Sequence, residues 1–586
     1  MVAHVPLHGC SSVRVPHFDA CMRFALRTAL MRAISSAPSC ATIGTARRAH
    51  RTSRVFCASA KAEASGGGAN DLSQISVGDI VDALECVDFA TSGEGVCRLP
   101  NGMVLLCDGA TPGEVVEARI TKVKKSIAEG SKLATRRRAA DSISPPCPHY
   151  ALCGGCSWQH VSYDAQMLHK RNRVVDVLSR IGKVSDAENV VGDCVGSAET
   201  QRYRNKMEFA FGAREDGSGG VVVGLRPRGS NDSVIDISKG CILQSEEADA
   251  VLKTTRDALE QMGGRLEAFD RTTGEGMLRS MTIRTATNAE GGKSLMVDLA
   301  TTADDADLAD GPLSSLIDAI AKTPGVTNIV HTAVPKEAEL RRGGKGRRSA
   351  FVKGGAKTKP SDKVRNVKAI VGDNKIVETL DGLQFELSSA SFFQTNTNQA
   401  SRLVQLVREA CGFSGDKSEI VLDLFCGTGA MGLSVASSAR QVMGWEIVPE
   451  AVRDAKRNAE MNGIDNAKFY RVDLARLNAS KGAQGLLTTP KGKELPMPDV
   501  VITDPARPGM DAKLISILRT IGARRIVYVS CNPSTQARDA ALLTSESQGT
   551  HDVRYVLTKC TPVDMFPHTA HVESIAVFDR VDDASA

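Results

Sequence analysis

The last 200 residues alternate apolar, β-rich runs with helix-like stretches, and that alternation leaves few folds open. "EIVLDLFCGTGAMGLSVA" (419–436) reads as strand, Gly-bearing turn and helix. "QVMGWEI" (441–447) and "PEAVRDAKRNAEMNG" (449–463) repeat the pattern, and "DVVITDPARPGM" (499–510) and "RIVYVSCNPST" (525–535) add two more strands. These strands are near-continuous Val, Ile and Leu, as expected where both faces of a parallel sheet are covered. The expectation is a doubly wound, Rossmann-like α/β domain over 386–586. In such sheets ligands bind outside the carboxyl ends of the strands, so the residues just past each run carry the functional interest.

Those positions are chemically distinctive. Gly427 and Gly429 sit at the first strand-to-helix turn, where a backbone without side chains can approach a ligand closely. Glu446 ends the next strand, 19 residues past Gly427, where an acid can grip two ribose hydroxyls. A nucleoside-bearing cofactor is implied. The G-x-G-x-x-G spacing of NAD sites and the G-K-[ST] of ATP sites are both missing, which leaves S-adenosylmethionine. Asp504 and Cys531 end two further strands of the same sheet. Cys531 has a competing reading as a small buried hydrophobe. Beside a methyl donor, however, a thiol suits alkylation of a pyrimidine: its thiolate adds to uracil C6, C5 becomes enolate-like and takes the methyl, and a base then removes the C5 proton. "DMFPHTAHVESIAVFDR" (564–580) offers Asp564, His568, His571 and Glu573 as that base. Glu573 stands nearest the start of the closing strand and is preferred, with His571 its rival.

The N-terminal 60 residues contain eight arginines, no lysine and a single acid, Asp19, among many Ser and Ala. This is the composition of an organellar transit peptide, chloroplast before mitochondrion, with a disordered tail as the alternative. Residues 61–74 read as a linker. The whole chain carries +5, of which the leader supplies about +7, so bulk charge does not advertise nucleic acid. Local charge does: eight Lys and Arg against one acid over 119–138, and eleven against one over 341–368, a Gly-rich run read as a basic loop that either binds RNA or only solvates. No apolar run is long enough to cross a membrane.

Between leader and sheet, 75–138 holds several short strands, including a hairpin signal at Asn101-Gly102 of the type I′ kind, and reads as a small OB-like barrel. "PPCPHYALCGGCSWQH" (145–160) places Cys147, Cys153 and Cys156 in C-x5-C-x2-C, with Cys241 as a fourth candidate ligand. Four thiolates serve zinc or an iron–sulfur cluster; the lack of a nearby second C-x2-C favours [4Fe-4S]. The next segment, 162–182, reads as an amphipathic helix with Val174, Val175, Leu178 and Ile181 on its apolar stripe and Lys170, Arg171 and Arg173 outside it. "RYRNK" (202–206) is either a cluster of phosphate contacts or a solvated turn. The region 139–385 is read as an α+β domain carrying the cysteines and the basic loop.

Taken in order, the barrel with its Gly-rich turn, the four cysteines, "SFFQTN", "DLFCGTG", "DPARPG", "VSCNPST" and "DMFPHTAHVE" resemble the RNA 5-methyluridine methyltransferases, the enzymes that modify uridine C5 in tRNA and ribosomal RNA. The resemblance spans roughly 77–580. It implies a TRAM barrel, Cys531 as nucleophile and Glu573 as base. It further implies Gln394, Phe425, Gly427, Gly429, Glu446, Asp473 and Asp504 around S-adenosylmethionine and uracil, and a [4Fe-4S] cluster on Cys147, Cys153, Cys156 and Cys241. A monomer acting on tRNA or rRNA is expected. Three positions depart from the family: Ala430 after the glycines, Ala506 in place of a second proline, and the basic insertion. Two rivals stand beside this reading. An amino-group methyltransferase would use the "DPAR" segment and need no thiol, and a non-catalytic RNA-binding protein would keep only barrel and cluster.

Overall fold

The computed structural model describes residues 75–581, apart from 215–218, 231–232, 303–307, 335–365, 478–483, 485 and 547–551. The expected leader, the linker and residues 341–365 of the basic loop lie outside the described residues.

The first unit is a closed five-stranded barrel built from β1 (Ile80–Phe89), β2 (Gly95–Arg98), β3 (Val104–Asp108), β4 (Val115–Val123) and β5 (Ile127–Arg137), in the order β1-β2-β3-β5-β4. Alternation along the strands sends Val81, Leu84, Leu105, Val116 and Ile120 inward, each at most 3% exposed. The β2–β3 turn departs from the type I′ expectation. Pro100 holds its φ negative, Leu99 O accepts from Gly102 N (2.8 Å), and only Gly102 takes positive φ (+81°), giving a turn followed by a left-handed glycine. The basic run is also largely spoken for. Lys132 pairs with the buried Glu114 at 2.9 Å, Arg136 with Asp82 at 2.9 Å, Arg137 with Glu85 at 3.2 Å, and Lys124 with Glu129.

A helix, α1 (Tyr163–Arg180), follows the cysteine loop. Its buried stripe is Val174, Val177 and Leu178; Ile181, expected there, is 42% exposed at the C-cap. Lys170, expected outside the stripe, is fully buried, because Asp564 waits for it 2.5 Å away. Next comes a seven-stranded sheet formed by β6 (Lys206–Ala213), β7 (Val221–Leu225), β8 (Ile235–Asp236), β9 (Leu278–Thr287), β10 (Lys293–Thr301), β11 (Val326–Ala333) and β12 (Asn366–Val371). Its order is β12-β11-β10-β9-β6-β7-β8. Helices α2 (Glu246–Gln261) and α3 (Pro312–Ala321) pack on it through Val251, Leu252, Leu316 and Ile320. Because β12 begins at 366, the last residues of the basic run, Val367 and Lys368, belong to a strand rather than to a loop. A hairpin, β13 (Ile376–Leu380) with β14 (Leu383–Leu387), leads into α4 (Thr397–Cys411).

The C-terminal sheet has seven strands: β15 (Ile420–Leu424), β16 (Gln441–Glu446), β17 (Ala467–Arg471), β18 (Val500–Thr503), β19 (Arg525–Ser530), β20 (Tyr555–Val563) and β21 (Glu573–Arg580). The order is β17-β16-β15-β18-β19-β21-β20, with β21 antiparallel between β19 and β20 and the first five strands parallel. Helices α5 (Ala430–Val435), α6 (Pro449–Met461), α7 (Ala512–Ile521) and α8 (Pro533–Thr544) make the crossovers. Strand order reverses between β15 and β18, which is where a doubly wound sheet opens its ligand crevice.

Candidate active site

The reversal point is built around β15. Asp423, fully buried in that strand, accepts Gly432 N at 2.9 Å and fixes the start of α5. A β-carbon on Gly432 would stand 2.8 Å from that carboxylate, so glycine is required there. Phe425 takes a left-handed φ of +61°, uncommon for a bulky side chain, and turns the chain out of the strand. Gly427 follows at φ +54°, with open space where its β-carbon would point. Glu446 reaches back to accept Gly427 N (3.1 Å) while its other oxygen accepts Ile447 N and Val448 N (both 2.8 Å). Carboxylate oxygens carry two lone pairs each, so the oxygen that accepts Gly427 N keeps one free for a ribose hydroxyl, while the other is filled by its two backbone donors. Asp473 lies at the same edge, two residues beyond β17, capping the short turn at Ala475 N (3.1 Å). The loop, the acid and the open space beside Gly427 suit S-adenosylmethionine.

The chemistry-bearing residues follow on the next strands. Asp504 leaves β18 and donates its N–H to Leu424 O at 3.3 Å. Cys531 leaves β19, and Glu573 opens β21. Since Ser530 pairs with Ser574 in register, Cys531 and Glu573 are opposed one step further along the same antiparallel pair. Burial is the largest influence on all three acids. It raises Asp504 to about 7, and with the nearby Asp504 charge it raises Glu573 to about 8. Burial, then the Glu573 and Asp504 charges, raise the half-buried Cys531 to about 11, against the pull of Arg507. Arg507, exposed beside them, was not singled out from sequence; its carbonyl accepts from Asn532 (3.1 Å) and Thr535 (3.0 Å), tying the β18 loop to the Cys531 turn. Gln394 lies in the segment before α4, which Asn205 holds through the Gln394 carbonyl (2.9 Å) and which meets the loop before Glu573 through Asn396 and the Met565 carbonyl (3.3 Å). Phe392, two residues before it, is 75% exposed, while Phe393 is buried. Its signal in the sequence was a pair of adjacent phenylalanines in a loop, only one of which packs inward.

The other candidates for the base are placed differently. Asp564 is buried against Lys170 and Tyr163 Oη (2.8 Å). His568 has left-handed φ and is held through its backbone, and His571 is exposed.

Cys147, Cys153, Cys156 and Cys241 line one cavity of about 220 Å³, with Arg204, Gln159 and Met207 also in its wall. Gly155 N donates to Cys153 Sγ at 3.3 Å, and Arg228 bridges the loop to the barrel by binding the Cys153 carbonyl (3.4 Å) and Asp108. Among the described residues no three His, Cys, Asp or Glu side chains converge closely enough for one metal ion. The thiols ring a space rather than a point. "RYRNK" serves this wall more than solvent: Arg202 bonds the Cys241 and Gln244 carbonyls (3.1 and 2.9 Å), and Tyr203 is buried. A cleft of about 1470 Å³ opens between the barrel, the cysteine loop and the central sheet. Its described lining holds six Lys or Arg and five Asp or Glu, a mixed field in which no strong positive potential stands out. Among the described residues no helix is long and apolar enough to cross a membrane.

The chain is similar to known proteins along this whole architecture. The tRNA (uracil-5-)-methyltransferase family matches residues 362–581, and the TRAM domain matches 87–133. An uncharacterized RNA methyltransferase of Porphyromonas gingivalis is 34% identical over 513 residues, 85% of this chain and 99% of that protein. Another from Halalkalibacterium halodurans is 34% identical over 502 residues, covering 86% and 97%. Among solved structures, the tRNA (uracil-54, C5)-methyltransferase of Pyrococcus abyssi, in complex with S-adenosyl-L-homocysteine, superposes with a TM-score of 0.59 at 24% identity, over 85% of this chain and 99% of that one, which supports the fold. A sheet that opens its crevice at a Gly turn faced by an acid, behind a TRAM barrel and with full-length likeness to such relatives, has one assignment: the chain is an RNA methyltransferase and belongs to the uracil-5 family that carries a TRAM domain.

Proposed function

We propose that this enzyme methylates C5 of a uridine in tRNA or ribosomal RNA through a transient bond between Cys531 and uracil C6. The opposition of Cys531 and Glu573 across the β19–β21 register, with Asp504 beside them, is the observation that carries this reading. S-adenosylmethionine, held by the Gly427 loop, Glu446, Asp473 and their neighbours, would supply an electrophilic methyl on a sulfonium. Cys531 gives its proton to solvent and its sulfur adds to C6, pushing the C5–C6 π electrons towards C5. C5 attacks the methyl, whose bond to the sulfonium breaks with its electron pair staying on sulfur as S-adenosylhomocysteine leaves, and C5 becomes tetrahedral. Glu573, ionised, removes the C5 proton; the double bond reforms and the Cys531 sulfur leaves as thiolate. Arg507 stabilises both anionic forms, and Phe392 offers a face on which a splayed-out base can stack. An amino-group methyltransferase would give the buried carboxyl of Glu573 and the thiol opposite it no task.

The cavity ringed by Cys147, Cys153, Cys156 and Cys241 fits a [4Fe-4S] cluster, whose thiolate ligands stand at separate corners, better than a single tetrahedral zinc. Its role in this reading is to hold the loop between barrel and active site. RNA lies in the large cleft and is recognised by shape and stacking, in keeping with the mixed charge of its walls. The protein works as a monomer in the chloroplast, with the mitochondrion as the alternative, on the composition of residues 1–60. Incubation of organellar tRNA and rRNA with labelled S-adenosylmethionine, followed by nucleoside mass spectrometry, tests the activity: 5-methyluridine is the expected product, and a methyl group on an exocyclic amine refutes the assignment.

A further inference from the structure

The segment 564–572 joins β20 to β21 and delivers Glu573, and it is held from outside along its length. Lys170 donates to Asp564 Oδ1 (2.5 Å) and to Phe566 O (3.3 Å), and Tyr203 Oη to Pro567 O (3.2 Å). The His568 carbonyl accepts from both Ser157 N (3.0 Å) and Trp158 N (2.9 Å), while Gln166 accepts His568 N (3.0 Å). The peptide of Ala570 is then gripped on both sides: its N–H donates to Ser157 Oγ (3.2 Å) and its carbonyl accepts from Arg173 Nη1 (2.7 Å). Three residues after Ala570 stands Glu573.

The barrel meets this grip directly. Trp158 Nε1 donates to Gly93 O at 2.9 Å, and Phe89 packs on the Trp158 ring at 4.7 Å. Gly93 has φ +105°, and a β-carbon there would lie 3.1 Å from both Ala570 Cβ and Ser157 Oγ. Barrel, cysteine loop and active-site segment therefore converge on one peptide. Neither Ser157 nor Arg173 has a task in the chemistry described above.

We propose that Ser157 and Arg173 are positioning residues for the proton-abstraction step, clamping the Ala570 peptide so that Glu573 meets the C5 proton of the methylated adduct. The inference rests on the covalent reading of the function. Cys531 sits on β19, outside the clamped segment, so loosening the clamp leaves addition and methyl transfer intact and slows only the removal of the proton and the release of the sulfur. A shift near 1 Å at a reacting group is enough to cost on the order of 100-fold in rate.

The test uses the full enzyme with unmodified substrate RNA, comparing wild type with Ser157→Ala, Arg173→Met and Ser157→Thr, which keeps the acceptor. For Ser157→Ala and Arg173→Met we expect kcat to fall about tenfold or more, KM for RNA and for S-adenosylmethionine to stay within about twofold, and a denaturation-stable enzyme–RNA adduct carrying the new methyl to accumulate. Ser157→Thr should restore turnover and abolish the accumulation. The inference is overturned if KM for RNA rises with kcat unchanged, the signature of a phosphate contact. It is also overturned if turnover falls without adduct, or if cofactor affinity falls in calorimetry, since the claim is confined to the base. If wild type itself makes no adduct with 5-fluorouridine RNA, the covalent reading has failed; if wild type does, and the variants turn over unmodified RNA like wild type with no adduct accumulating, this inference alone has failed.

Discussion

Replacing Lys170 by Met removes one partner of an ion pair whose side chains are both 0% exposed. Met fills the space of the lysine stem, so the cost is electrostatic and falls on Asp564. A buried carboxylate stripped of its cation costs about 3–5 kcal/mol. Asp564 keeps two donors, Tyr163 Oη at 2.8 Å and Phe566 N at 3.1 Å, which puts the expected loss near the lower end, about 3 kcal/mol. Urea denaturation followed by tryptophan fluorescence is suited to this, since Trp158 lies beside the pair. Adding Asp564→Leu should recover much of the loss. A loss below about 1 kcal/mol would refute the reasoning.

Other consequences are equally open to measurement. Glu573→Gln cannot accept the C5 proton, so we expect turnover to vanish while a methylated Cys531–RNA adduct forms; free methylated product from this variant would remove Glu573 from its role. Glu573 must be ionised to act and burial raises it to about 8, so kcat/KM should climb from pH 6.5 to 9; a profile falling over that range contradicts the assignment. The same shifts set stability: Asp423, Asp504 and Glu573, raised by burial to about 8, 7 and 8, hold protons in the folded state that the unfolded chain gives up above about pH 4. Unfolding measured at pH 5, 7 and 9 without cofactor should show stability falling as pH rises through that window. Protein purified without oxygen should carry about four irons per chain and lose them in Cys241→Ser; one zinc and no iron would overturn the cluster while leaving methyl transfer untouched.

How much of this could be read in advance differs from element to element. The parallel strands of the C-terminal sheet were legible because burial on both faces leaves no alternation to misread, and because Gly427, Glu446, Asp504 and Cys531 each follow such a run. The barrel was legible for the opposite reason, its strict alternation. Lys170 was not, since its partner lies 394 positions away and nothing in a local helical pattern announces a buried cation. The carboxylates that the barrel's basic run meets were not legible either: its pairing with Glu114, Asp82 and Glu85 is a product of strand order. Arg507 and the Ser157–Ala570 contact lay beyond local pattern too, being set by how distant loops close over one sheet edge.

Methyl transfer here depends on a covalent bond from the Cys531 thiol to the uracil ring. Wild-type enzyme incubated with substrate RNA carrying 5-fluorouridine, where fluorine cannot leave as a proton does, should form a denaturation-stable complex whose cross-link maps by peptide mass spectrometry to Cys531, and Cys531→Ser should form none and make no 5-methyluridine. A serine variant that methylates uridine at a rate near wild type, or a cross-link at any other residue, would contradict it.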